Sequence, residues 1–170
     1  QEVFGALKGL KVGIIGDIAH SRVARSNIFG LAAMGAKVAL CGPPTLLPLN
    51  VEVLPAKVSY SIDEVINWAD AIIILRLQLE RMGQKLIPSV REYRSFFGIT
   101  SERMKNHSKQ LVIMHPGPMN RGIEIDSDVA DGKQAIILNQ VLNGVASRMA
   151  ILYLLLGQKI PEESEKSVSE

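Results

Sequence analysis

The sequence predicts an α/β protein built on a doubly wound, five-stranded parallel sheet with helices on both faces. Three observations carry that expectation. Five short runs are too apolar for a sheet with one wet face, helix-patterned or turn-rich segments separate them, and the runs end at glycine, proline or polar residues. Strands buried on both faces read as continuous β-branched stretches rather than alternation, and strands joined in parallel need a crossover between them.

Lys11 to Gly16 (KVGIIG) is the first such run, and Asp17 follows its closing glycine. From Ser21 to Met34, Val23, Ile28, Leu31 and Ala32 recur at helical spacing, and Gly35 stands where a C-cap glycine belongs. Lys37 to Cys41 (KVALC) repeats the strand pattern and stops at Gly42-Pro43-Pro44; Lys57 to Ser59 is a weaker third strand, followed by a helix over Ile62 to Trp68. Ala71 to Leu75 (AIIIL) is the most apolar strand, and Gln110 to Met114 (QLVIM) is the fifth. A strongly apolar helix from Asn139 to Leu156 carries Val141, Leu142, Val145, Met149, Leu152 and Leu155, stops at Gly157, and is expected to pack rather than to do chemistry. The resulting Rossmann-like order makes residues 1–160 one domain. Pro161 to Glu170 is polar throughout and is expected to be a disordered tail.

Bulk properties narrow the function. At 170 residues and 47% hydrophobic content the chain can bury one good core but not two. Nineteen basic against seventeen acidic residues leave a formal charge of +2, which argues against a nucleic-acid or membrane-surface partner. Cys41 stands alone, with no metal-ligand spacing around it, which fits a reducing compartment, the cytoplasm by default. No apolar run is long enough to span a membrane, and no signal-peptide layout opens the chain. The first residue is Gln1 rather than Met, which raises the expectation of a missing upstream half.

In a sheet of this kind ligands bind beyond the carboxyl ends of the strands, near the point where strand order reverses. Three polar or conformationally special segments occupy those ends. Asp17 to Arg22 follows the first strand and delivers Arg22 into the first turn of a helix, where a cation opposes the dipole; it is either a solvated surface arginine or a ligand group. Gly13-Ile-Ile-Gly16-Asp17 lacks the G-x-G-x-x-G fingerprint, and Asp17 would set a negative charge where a pyrophosphate should sit. Arg76-Leu77-Gln78 follows the fourth strand, and continued extension points Arg76 and Gln78 the same way. Arg76 either pairs internally with Glu80 or Asp70 or offers a fork to a carboxylate, with the Gln78 amide beside it. His115-Pro116-Gly117-Pro118 follows the fifth strand. Its prolines hold the carbonyls of Pro116 and Gly117 in fixed directions, and its Gly-Pro bond is a place where a cis peptide can form. A plain strand-ending turn and a satisfied core His115 are the alternatives there. His20, His107 and His115 lack metal-site spacing, and Asn106-His107-Ser108 is a glycosylation pattern without meaning inside a cell.

Four ordered motifs, GDIAHSRVARSN, LRLQLERM, HPGPMNRGIEI (His115 to Ile125) and VLNGVASRMA, together resemble the C-terminal, aspartate-binding domain of aspartate carbamoyltransferases from about Leu7 to Leu156. Ornithine carbamoyltransferases share the fold, but they have His-Cys-Leu-Pro where this chain has His115 to Pro118 and lack the Arg-x-Gln pair. The resemblance implies that Arg22 meets the α-carboxylate of L-aspartate, that Arg76 meets its side-chain carboxylate, and that Gln78 helps to hold it. It implies too that the carbonyls of Pro116 and Gly117, positioned by a cis bond before Pro118, receive the carbamoyl amine, and that the loop after Gln78 closes over the substrate. The family transfers the carbamoyl group of carbamoyl phosphate to aspartate, an early step of pyrimidine synthesis. It needs no metal or organic cofactor and assembles as a homotrimer. Its phosphate-binding motifs, a Ser-Thr-Arg-Thr loop and a His-Pro-Thr-Gln segment, belong to an N-terminal carbamoyl-phosphate domain absent here, so the isolated chain is expected to be inactive. The alternative is a free-standing dicarboxylate-binding or interaction domain without catalysis.

Overall fold

The computed structural model describes residues 3–79, 86–107 and 110–157. Five strands, β1 (Lys11–Ile15), β2 (Lys37–Cys41), β3 (Lys57–Ser59), β4 (Ala71–Ile74) and β5 (Val112–Met114), form one sheet in the order β3-β2-β1-β4-β5. Every pairing is parallel. The chain runs outward from β1 to β3, then returns to the other side of β1 for β4. The reversal therefore lies between β1 and β4, where Ile15 is paired with Ile74.

Strand parity divides the core into two layers. Val12, Ile14, Ile73 and Leu75 face α1 (Arg22–Ala33), which contributes Ala24 and Ile28. Ile15, Ile72 and Ile74 face the opposite way and meet Ile62, Val65 and Ile66 of α2 (Ile62–Trp68). Both faces of each central strand are thus dry, as their unbroken apolar composition requires. Helix starts follow local capping chemistry: Ser21 accepts the Ala24 N–H, Ser61 that of Glu64, and Ser89 that of Glu92. The last of these opens α3 (Val90–Phe97), which is followed by α4 (Ser101–Lys105) and, after β5, by α5 (Ser127–Ala130). α4 and α5 are too short to show a hydrophobic period, whereas α3 is amphipathic and Ser89-Val90-Arg91-Glu92 carries a capping-box signature.

The closing helix departs from expectation. α6 (Ile137–Leu155) forms, but only Ile137 is buried; Leu138, Leu142, Met149, Leu152 and Leu155 are each at least 60% exposed. Packing against this domain is therefore confined to its first turns. Apolar residues surround the helix on all sides, and the one face it turns to the domain cannot cover them all. The result is a helix that exposes large apolar side chains along its length. No described helix is long and apolar enough to cross a membrane. The expected tail, Pro161 to Glu170, together with Glu80, lies outside the described residues.

Cys41 ends β2 with no exposed surface, and burial pushes its thiol up to about 12. Since the thiolate is the nucleophile, the folded chain is expected to resist alkylation at pH 8 and to react fully in denaturant. Mass measurement of the adduct checks this; rapid labelling of the folded chain contradicts it.

Candidate functional site

The carboxyl ends of β1, β4 and β5 enclose a cleft of about 160 Å³. The turn that leaves β1 for the cleft starts at Gly16, whose φ of +122° favours glycine and whose Cβ, if present, would stand 2.9 Å from the Leu75 carbonyl oxygen. The turn beyond is tied to the β2 loop: Gly16 N–H donates to Cys41 O at 2.8 Å, and the amides of Ile18 and Ala19 both donate to Leu46 O. Asp17 is buried, at 2% exposure, and its Oδ1 accepts the backbone N–H of His20 at 3.2 Å while standing 2.8 Å from His20 Nδ1. Asp17 thus works as a staple for the turn, and His20 reaches the cleft with its ring half exposed. Sequence reasoning misses both as cleft residues; the Asp-x-x-His spacing, Asp17 to His20, is the available signal.

From β4, the alternation holds beyond the strand end. Leu77 is fully buried, whereas Arg76 and Gln78 are partly exposed and both line the cleft. Gln78 Oε1 is buried with no hydrogen-bond partner among the described residues, an acceptor open to an external donor. Asp70, one of the two internal partners considered for Arg76, accepts the Lys11 N–H at 2.9 Å, at the amino end of β4. The other, Glu80, lies outside the described residues.

From β5 come Pro116, Gly117 and Pro118, all lining the cleft. The Gly117–Pro118 peptide is cis, and Gly117 adopts φ +62°. The structure thus brings together Arg76, Gln78, Pro116, Gly117 and Pro118. It leaves Arg22 at the rim: the residue is exposed at the start of α1, and its neighbours Ser21 and Val23 line the cleft while Arg22 does not.

A larger, more open depression of about 870 Å³ lies among α2, α3 and α4, and two of the cations lining it, Arg94 and Arg103, are engaged within the fold. Arg94 bonds Asp126 and the Gly122 carbonyl, and Arg103 bonds Asp63 and the carbonyls of Gly98 and Ser95. The hydrogen bond from Arg94 holds the Asp126 carboxyl below its ordinary range. This surface joins helices, whereas the strand-end cleft holds the unpaired Gln78 acceptor. No cluster of three or more metal-ligating side chains occurs among the described residues.

Comparison with known proteins supplies independent findings. Residues 8–155 match the family described as aspartate/ornithine carbamoyltransferase, Asp/Orn binding domain. The aspartate carbamoyltransferase catalytic subunit of Gemmatimonas aurantiaca is 55% identical over 171 residues, covering 99% of this chain and 54% of that protein. That of Syntrophobacter fumaroxidans is 59% identical over 153 residues, covering 90% of this chain and 50% of its own length. Among solved structures, the catalytic subunit of M. jannaschii aspartate transcarbamoylase aligns with a TM-score of 0.74 at 27% identity, over 93% of this chain and 54% of that one. The ornithine carbamoyltransferase of Pyrococcus furiosus has the same fold, with a TM-score of 0.74 at 22% identity over 94% of this chain and 53% of that one. The chain spans about half the length of the relatives it matches.

Proposed function

This chain belongs to the aspartate/ornithine carbamoyltransferase family, and from that membership we propose that residues 1–160 are the acceptor-binding half of an aspartate carbamoyltransferase. The complete enzyme would transfer the carbamoyl group of carbamoyl phosphate to the amine of L-aspartate, yielding N-carbamoyl-L-aspartate and phosphate for pyrimidine synthesis. The observation that carries the reading is the meeting of Arg76 and Gln78 with Pro116 to Pro118 in one cleft at the β1/β4 switch point.

In this reading the Arg76 guanidinium forks onto the side-chain carboxylate of aspartate. Arg22 swings from the rim onto the α-carboxylate. The buried Gln78 Oε1 accepts a hydrogen bond from the substrate amine. The carbonyls of Pro116 and Gly117 accept from the carbamoyl –NH₂, which orients the carbonyl carbon toward that amine. Attack forms the new N–C bond, the C–O bond to phosphate breaks, and the departing phosphate takes the proton lost by nitrogen. The chain's share of the rate comes from alignment, with charge stabilisation at the carbonyl oxygen left to groups of the other half. That half would carry the carbamoyl-phosphate site, and the complete enzyme would be a cytoplasmic homotrimer.

The choice of acceptor tests the proposal. A full-length enzyme, with the upstream half of the Gemmatimonas aurantiaca relative joined to this chain, is expected to carbamoylate aspartate and to leave ornithine essentially untouched. A site built to pair two carboxylates rejects a cationic side chain, because Arg76 would then face a like charge. Preference for ornithine, or equal use of both, would contradict it.

A further inference from the structure

The cleft is backed by a polar pair that no substrate contact requires. His115 and Glu124 have no exposed side-chain surface, and His115 Nε2 lies 3.4 Å from Glu124 Oε1. On the other edge of the ring, Nδ1 accepts the backbone N–H of Gly117 at 2.9 Å. A nitrogen that accepts this bond carries no proton, so the ring is neutral with its hydrogen on Nε2, which makes no aligned hydrogen bond among the described residues and has the Glu124 carboxyl as its near polar neighbour. Glu124 Oε1 also accepts the Asn120 N–H at 2.5 Å, and the Asn120 side-chain amide donates to the Leu77 carbonyl at 3.0 Å. The His115 backbone N–H is taken by Gln140 Oε1 from the first turns of α6.

We infer that His115 and Glu124 are a positioning pair for the carbamoyl-orienting turn. Glu124 holds His115 as its Nε2–H tautomer, so that Nδ1 stays an acceptor and fixes the Gly117 amide, and with it the directions of the Pro116 and Gly117 carbonyls. Through Asn120 the same carboxylate fixes Leu77, the residue between Arg76 and Gln78. One buried carboxyl therefore sets the spacing between the turn that orients the carbamoyl group and the segment that holds the acceptor. The opposite tautomer is disfavoured at both ends of the ring. Its Nδ1–H would oppose the Gly117 N–H, and its Nε2 lone pair would face a carboxylate.

This inference rests on the functional reading above, and the test separates the two. In ¹⁵N-resolved imidazole spectra of the chain, His115 is expected to show a protonated Nε2 and a bare Nδ1. Glu124→Gln should preserve that state, and Glu124→Leu should mix the tautomers. In the full-length enzyme, His115→Phe, which keeps a ring but no acceptor, is expected to lower kcat roughly ten- to a hundredfold with little change in KM for aspartate. His115→Asn, whose amide oxygen falls near the Nδ1 position, is expected to recover most of that loss.

An imidazolium or Nδ1–H ring in the parent overturns the pair, as does a His115→Phe enzyme with unchanged kcat. A folded His115→Asn enzyme as slow as His115→Phe also overturns it. Should His115→Phe fail to fold, the Asn variant against the parent, read with the spectra, decides. A full-length parent that forms no N-carbamoyl-aspartate defeats the functional reading instead, and the spectra still judge the pair.

Discussion

By itself, the 170-residue chain is expected to form no N-carbamoyl-aspartate above the uncatalysed rate, even with both substrates at high concentration. The cleft explains why. Among the described residues, Arg76 is the only permanently charged cation lining it, with His20 beside it and the carboxyl of Asp17 behind. Aspartate brings two carboxylates, and carbamoyl phosphate adds a phosphate dianion. One guanidinium can fork onto a single such group. Without groups to fix the phosphate, the reaction stays bimolecular, and the alignment lost is worth on the order of 10⁵-fold or more. Joining the upstream half of a relative should restore turnover by at least that factor, measured with labelled carbamoyl phosphate. Catalysis by the isolated chain would show that the proposed division of labour between the two halves is wrong.

Arg76→Ala in that full-length enzyme is expected to weaken aspartate saturation about ten- to a hundredfold, which is the loss of a charge-assisted contact of roughly 1.5 to 3 kcal/mol. Leu77 is locked in the core and Gln78 has a buried acceptor, so the segment should keep its course while the fork disappears. Arg76→Lys restores charge but not the planar pair of donors, so it should recover only part of the affinity. Lys11→Ala serves as the control because Lys11 opens β1, at the amino ends of the strands, opposite the carboxyl ends that form the cleft. Saturation of both Arg76 variants at parental aspartate concentrations would remove Arg76 from the substrate site.

Period and composition were enough to place all five strands to within two residues at either end, because a strand buried on both faces must be apolar throughout whatever its neighbours are. They also placed α1 and α2, whose serine caps are local. The alignment of Arg76 with Gln78 followed from the two-residue repeat of an extended chain, and the rigid turn at Pro116 to Pro118 from proline chemistry. What lay beyond reach depends on distances between segments remote in sequence. Arg22 starts a helix as expected, yet its side chain stands outside the cleft that Ser21 and Val23 line, a matter of helix rotation and not of residue type. Asp17 looked like an obstacle to phosphate and is instead a buried staple, because the His20 amide and ring close onto it. The bare surface of α6 could not be foreseen, since an apolar helix has the same sequence whether or not a partner covers it. His115 and Glu124 stand nine positions apart with no periodic relation. Only the fold-back of the Met119 to Ile123 segment brings the carboxylate to the ring, and a buried polar contact of that kind is a product of packing, which local propensity does not encode.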